Sequence, residues 1–458
     1  MITQANLAEA LSNRIHEIDF KYLVEEAFNA VFDIPRAVVS KGNCKTLSHL
    51  KNIFEVGKFE SVSFPSGSEL GTWTVPDEWN LISYNLMSMD GELLQDITDT
   101  NLRVVYGSNS FVGEVKMSDL SNHIYTHDTV TNAVPFVTNY YGDFDWGICM
   151  SQAEKTSLVN NHEAVIVNIN VEQVPGNLVI WSRILGAVRQ QDFNQKRVLF
   201  WSYNCHPQMA QNELSGPITM FFLIKIMEMI GDGGYEFRFA YDFSISSETI
   251  GAIGKILAVG DALSTYVACH VLTCIGVNSS NLTIQESIDS TSYATRVIKT
   301  AVKDQVGPDY SLNDFNMRGS DERQFMWPGV DIDTAYFCTK KYHQFKEYHT
   351  NLDDTLDVDA IMQSVQIYLD AILIHETNET VQSVSVGEPM LSKFGKWPEI
   401  NAGGRLPEKY RPTDFLVLCD GERSLLQISK VLDWPYRVVL ELSNHFKDLS
   451  LLRVVDGR

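Results

Sequence analysis

The sequence predicts an α/β protein: a mostly parallel sheet covered by helices, with an inserted β-rich domain and a C-terminal winged-helix domain. Three observations predict it. Between about 190 and 385, apolar runs of strand length alternate with helical runs, the pattern of a sheet built from crossovers. Between about 70 and 185 the runs are short and rich in aromatic and β-branched residues. After residue 390, two amphipathic helices and a short strand follow one another. A chain of 458 residues exceeds one simple core, so two or three domains are expected.

The elements follow in order. FKYLVEEAFNAVF (20–32) has helical spacing, within a mostly helical stretch from about 15 to 65. NLRVVYG and EAVIVNINV read as strands, with a turn at Gly176–Asn177. KRVLFWSYN is an apolar strand and GPITMFFLIKIMEMI a buried helix. FRFAYDF is a strand, SSETIGAIGKIL a helix and YVACHVLTCIGV a strand. Helix SYATRVIKTAVKD, strand TAYFCT and a long helix over 357–378 complete the run. The expected main domain therefore spans 15–68 and 186–388, with the insertion at 69–185. LPEKYRP (406–412) is a Pro-punctuated lead into the third domain, 389–458. There Leu425, Leu426, Ile428 and Val431 share one helix face, and Val438, Val439, Leu442 and Phe446 another.

Composition narrows the function. A net charge of −22 argues against binding of nucleic acid or an anionic membrane by the whole molecule. Residues 391–458 hold 11 Lys and Arg against 9 Asp and Glu, too even for a DNA-binding module, so packing against the main domain or a partner is expected. No apolar run reaches the roughly 18 residues of a membrane span. The longest, ITMFFLIKIMEMI, is broken by Lys225 and Glu228. No signal pattern opens the chain, and seven scattered cysteines without a CxxC pair fit reduced thiols in a cytoplasm. The aromatic residues of the insertion favour a homodimer.

Four segments carry residues fit for chemistry. His206 follows strand KRVLFWSYN directly, where open α/β sheets gather ligands, and Pro207 stiffens its loop. Alone it reads more readily as an ordinary histidine than as a metal ligand. Glu248, in SISSETIG, is a first-turn helix residue or a general base at a strand end. In MRGSDERQFMWPGVD, Arg318, Asp321, Glu322 and Arg323 either bind a polar substrate or pair with one another. His349 precedes the last long helix, in EYHTNLDD, where Thr350, Asn351, Asp353 and Asp354 are all suitable caps. A scattered zinc site needs such a second histidine, with one coordination position left open.

Side by side, CHPQMAQNELSGP, SETIG, MRGSDERQF and EYHTNLDD resemble, in order, the signatures of a bacterial aminopeptidase-like family in the zinc aminopeptidase superfamily. That family often sits beside polysaccharide or small-molecule biosynthesis functions. FPSGSELGTWTVPDEWNL (64–81) looks like the start of its inserted protease-associated-like domain, and YTHDTVTNAVPFVTNYYGDFDWGICMS (125–151) like its aromatic core. The resemblance covers nearly the whole chain. It implies a zinc-aminopeptidase-like fold, zinc ligation by His206 and His349, and Glu248 as catalytic base. The metal-binding carboxylate of the family falls on Asn212, which is read as the third ligand and offers an oxygen but no charge. The adjacent Glu213 is read as a substrate contact; for it to take over as ligand the backbone would have to adjust, since neighbouring loop side chains point apart. An acidic position after strand CHVLTCIG is Val277, and the arginine-bearing stretch that usually follows is absent from LTIQESIDSTS. Two main readings result: a zinc-dependent hydrolase of an amide bond in a small or peptide-like amino-bearing substrate, and a degenerate relative that binds a ligand or protein partner. A third, a regulator built on the winged helix, rests on that element alone.

Overall fold

Six consecutive buried residues, Val198–Tyr203, mark the centre of the molecule: only a strand covered on both faces buries every side chain. The computed structural model describes residues 2–141, 144–186, 195–394 and 411–455. The start of the Pro-punctuated segment, up to residue 410, lies outside the described residues.

Two amphipathic helices, α1 (Phe20–Val31) and α2 (Lys41–Phe54), lie near the start of the chain. Asp19 caps the first by accepting from the Tyr22 N–H, and Ser40 caps the second through Gly42. β1 (Glu60–Pro65) then leads into a four-stranded antiparallel sheet. Its strands are β2 (Glu78–Ser88), β3 (Leu93–Asp96), β4 (Phe111–Lys116) and β5 (Ala164–Val174), in the order β3-β2-β5-β4. Trp79, Tyr84, Trp146 and Ile148 fill its core. These rings are spent on internal packing, and Tyr141, half exposed, faces the cleft described below. NLRVVYG is no strand. Val104, Val105 and Tyr106 are all buried, so the segment lacks two-sided alternation and makes only single bridges, to Ile148 and Thr138.

β6 (Asn177–Leu185) returns from the insertion and pairs antiparallel with β1. The main layer continues through β7 (Arg197–Tyr203), α3 (Ser215–Asp232), β8 (Ala240–Ser246), α4 (Ile250–Val259) and β9 (Tyr266–Val271). Its strand order is β1-β6-β8-β7-β9. The expectation of a mostly parallel sheet needs correction. β8, β7 and β9 are parallel, but β6 pairs antiparallel with both β1 and β8. The cause is connectivity: β1 and β6 flank in sequence the segment that forms the four-stranded sheet, and arms that leave and return pair antiparallel without a crossover helix. The chain goes from β7 to β8 on one side, then to β9 on the other. The carboxyl end of β7 is therefore the switch point of the sheet.

Beyond β9, β10 (Leu282–Gln285), α5 (Tyr293–Val306), β11 (Tyr310–Asn313) and β12 (Tyr336–Cys338) form a small separate sheet, in the order β11-β10-β12. It meets the main sheet through the single bridge Cys269–Thr334. α6 (Val358–Thr377) crosses the body and passes into β13 (Thr380–Ser383). β13 is the middle strand between β14 (Asp420–Ser424) and β15 (Leu452–Val455), and α7 (Leu425–Leu432) and α8 (Tyr436–Asp448) lie between those two in sequence. Leu425, Ile428, Val439 and Phe446 share one buried cluster with α3 and α6, so this region packs onto the main body. The run Ala210–Asp232 is long and apolar enough by composition to cross a membrane, yet it is largely buried inside the molecule, as a core helix is.

Candidate active site

β7 delivers Asn204, Cys205 and His206 to the switch point. Rather than enter α3 directly, the chain makes one wide π-helical turn, Ala210–Leu214. Such turns are rare and gather at functional sites, because they re-aim the side chains they carry. Here Glu213, fully buried, is turned back onto His206. Its Oε1 lies 2.7 Å from His206 Nδ1, and its Oε2 accepts from the His206 backbone N–H at 3.2 Å. Cys205 Sγ lies 3.2 Å from the same Nδ1. Ligand atoms of Cys205, His206 and Glu213 all fall within 4.8 Å of one another.

Asn212 is differently employed. Its amide donates to Glu213 Oε1 at 3.1 Å, and its oxygen accepts from the Cys274 thiol at 3.5 Å. A buried carboxylate thus stands beside His206 one residue after Asn212, with the asparagine amide donating to it. The wide turn is held by Asp353, whose two carboxylate oxygens accept from the Gln211 and Asn212 backbone N–H groups at 2.7 and 3.0 Å. Burial pushes the Asp353 carboxyl up to about 7. The loop is tied to the insertion as well: Gln208 accepts from Thr100 and the Asn101 N–H, and Met209 enters the insertion's core.

His349 comes from the loop before α6, in left-handed backbone with φ 54°. Its ring stacks on Tyr348 at 3.9 Å, stands edge-on to Phe136, and lies 5.0 Å from the His206 ring between centroids. Phe136 also donates its backbone N–H to the His349 carbonyl at 2.7 Å. The electrostatics of the two rings diverge. Burial alone would keep His206 neutral, but the Glu213 carboxylate outweighs it and raises the imidazole well above its ordinary range. Burial, with His206 nearby, drives His349 well below.

Glu248 sits where β8 ends, with its backbone N–H on Cys205 Sγ at 3.3 Å. Burial first, then the negative Asp321, pushes its carboxyl up to about 8. A base poised there exchanges protons near neutrality. The next residue, Thr249, has φ 64°, a conformation that β-branched residues avoid. Two residues of the charged loop pin it. Asp321 accepts from the Thr249 N–H at 2.7 Å and from Trp201 Nε1 at 2.6 Å, and Arg323 donates to the Thr249 hydroxyl at 2.8 Å. Glu322 accepts from the backbone of Gly319 and Ser320, and Arg318 lies over the Phe315 ring. Of this loop's four charged residues read as substrate contacts, two hold the Glu248 turn and two fold their own loop. Val277 donates its backbone N–H to Thr339.

A cleft of about 320 Å³ opens over this site. Cys205, His206, Glu248 and Thr249 form its floor, and Trp73, Phe136, Tyr140 and Tyr141 of the insertion line its wall. Sequence reasoning missed Cys205 and the turn-holding role of Asp353. A cysteine abutting the strand-end histidine is a readable signal. Asp353 gave none, since it reads as a cap of its own helix, a task that Asp357 performs instead.

Solved structures share this arrangement of layers. A Clostridium acetobutylicum crystal structure, provisionally described as a peptidase, superposes with a TM-score of 0.84 at 23% identity, over 99% of this chain and 100% of that one. A zinc aminopeptidase from Bacillus subtilis superposes with a TM-score of 0.53 at 13% identity, over 76% and 93%. The fold is thus aminopeptidase-like. A Clostridium acetobutylicum protein provisionally described as a polysaccharide biosynthesis protein with an aminopeptidase-like domain is 25% identical over 437 residues, covering 94% of this chain and 95% of that one. The chain belongs to the family described as a domain of unknown function, DUF4910, whose profile matches residues 25–378.

Proposed function

We propose that the chain is a zinc-dependent aminopeptidase-like hydrolase that cleaves an amide bond in a small or peptide-like, amino-bearing substrate. The observation that carries this is the inward turn of Glu213. It restores beside His206 the negative charge that Asn212 lacks. The donor set of imidazole, carboxylate and thiol suits zinc in type and spacing. His206 and Glu213 would hold the ion, with Cys205 beside them and the His349 ring next to that of His206, 5.0 Å away. When bound, zinc supplies Lewis acidity toward a carbonyl and toward water. The protein's own groups do the rest. Glu248 takes up and returns a proton at its carboxylate, and Asp321 and Arg323 keep its turn in place. The aromatic wall excludes water and receives an apolar side chain of the substrate. The Clostridium acetobutylicum relative's description extends the proposal to polysaccharide biosynthesis, with an acylated amino sugar as one substrate class. The insertion is proposed to be protease-associated-like, and the helices α7 and α8 with their sheet a winged helix serving as a packing module.

A second reading, a degenerate relative that binds a ligand through the old cleft, is favoured by Val277, which leaves no carboxylate at the family's acidic position. Metal analysis separates the two. Purified with zinc and dialysed, the protein should retain the metal. Glu213→Gln should lower its affinity on the order of 100-fold, and Asn212→Asp in that background should recover part of it. Wild-type protein that retains no zinc at micromolar concentration excludes the hydrolase reading.

A further inference from the structure

A second concave site lies away from the cleft, between α5 and α7. It is a groove of about 280 Å³. Arg296, Lys299 and Lys303 line it from one face of α5, at helical spacings of three and four. Lys430 faces them from α7, and Trp434 and Tyr310 add flat aromatic surface. Four cations thus converge on one groove of a chain whose net charge is −22.

Their local compensation is incomplete. Lys299 pairs with Glu286, and Lys303 with Asp433, whose side chain is 82% exposed and so contributes little. The other acid in the lining, Asp304, accepts from the Tyr436 backbone N–H at 2.7 Å and keeps its charge, so the four cations stand against three acids, Glu286, Asp433 and Asp304. Arg296 and Lys430 make no ion pair among the described residues. Arg296 spends one N–H on the Ser292 carbonyl at 3.4 Å, which leaves most of its fork available. Arg296 and Lys430 thus add positive charge beyond these pairs, and a bound anion would neutralise it. Arginine and lysine donors around a concave surface suit phosphate oxygens, and an aromatic platform beside them suits a planar ring.

We propose that this groove binds a phosphate ester that carries a planar ring, with the phosphate between Arg296 and Lys430 and the ring against the aromatic side of the lining, at Tyr310. The site is independent of the metal cleft and of any activity there. The test uses the full-length protein, stripped of metal by chelator so that phosphate cannot bind a cleft ion. Calorimetric titration with AMP and with inorganic phosphate is run at 50 mM and 300 mM salt. The expected result is saturable AMP binding at low salt, at least tenfold tighter than inorganic phosphate and weakened by the higher salt. Arg296→Glu and Lys430→Glu should each lower AMP affinity at least tenfold without changing the melting temperature. The milder Lys430→Ala should lower it by less, and serves if a charge reversal harms folding. Absent AMP binding at low salt, equal affinity for AMP and inorganic phosphate, or wild-type affinity in the folded variants would each overturn the proposal.

Discussion

The protein contains two pairs of facing histidines whose ring centroids are almost equally far apart: 5.0 Å for His206 and His349, 5.3 Å for His270 and His375. Their chemistry differs because of what completes each pair. In the core pair every ring nitrogen is used. His270 Nδ1 lies 2.8 Å from the Ala335 carbonyl, the two Nε2 atoms are 3.0 Å apart, and His375 Nδ1 lies 3.1 Å from the Tyr293 hydroxyl. A carbonyl only accepts, so His270 Nδ1 carries the proton. His270 Nε2 then accepts, His375 Nε2 donates, and Tyr293 donates to His375 Nδ1. One carbonyl sets both tautomers, and both rings are neutral. The cleft pair has no such closure. A buried carboxylate stands against His206, and an open cavity lies over it. The hydrogen bonds of the core pair close on the protein; at the cleft a charge and a cavity take their place, which is what makes that pair the candidate for the proposed function.

The largest effect separating the pairs is expected in the cleft. Glu248→Gln keeps size and shape but removes the proton acceptor. Turnover of an aminoacyl amide or acylated amino sugar should fall by about 10²–10⁴-fold. Bound zinc should be unchanged. The same fold-loss from Asp321→Asn, with metal retained, would show that the strained Thr249 turn must be held for Glu248 to act. A Glu248→Gln enzyme with wild-type rates would remove the base from the mechanism.

The core pair should appear in stability rather than rate. Burial drives the His270 imidazole down to about 4, against an unfolded value of 6.5. The unfolded chain therefore takes up a proton near 6.5, and the folded chain resists it until about 4. Stability linked to this ring is intact above about 6.5 and is lost as pH falls through that window, by about 3 kcal/mol in all. His375, Tyr293 and Asp333 are its titratable neighbours. The check is urea unfolding of wild type and His270→Gln between pH 7 and 4.5. The wild type should lose stability relative to the variant as pH drops, and parallel curves would contradict the assignment.

The contrast also shows what was legible beforehand. Periodicity sufficed for the main strands and helices, since β7 carries a dense apolar run and α3 and α6 carry apolar residues at helical spacing over their whole length. It failed for NLRVVYG, which is buried on all sides, and it could not show that β6 joins the main sheet with its direction reversed. Both outcomes depend on partners far away in sequence. At the site, the positions of His206 and Glu248 just beyond strand ends were legible, because each follows an apolar run of strand length. The inward turn of Glu213 was not, because the π-helical turn that produces it is held by Asp353, some 140 residues further on. His270 and His375 carry no mark that distinguishes them from the cleft pair. The former sits in a strand and the latter near a helix end, and only the surroundings of each ring decide its role.

The smallest and most specific effect concerns the end of the core chain. Tyr293→Phe removes the hydroxyl that donates to His375 Nδ1 and leaves that nitrogen a buried acceptor without this donor. Loss of one neutral hydrogen bond, with partial relaxation around it, should cost about 1 kcal/mol. The tautomer argument adds a condition on where that cost appears. With its donor gone, His375 Nδ1 is open to a proton, so the His375 ring should titrate higher in the variant than in the wild type. Its destabilisation on acidification should therefore be shallower than the wild-type curve, even though the variant starts less stable. Zinc content and turnover should not move, since no group in the chain touches the cleft pair. If the variant lost metal or activity at constant fold, the two histidine pairs would be coupled, and the division between a closed structural pair and an open functional one would fail.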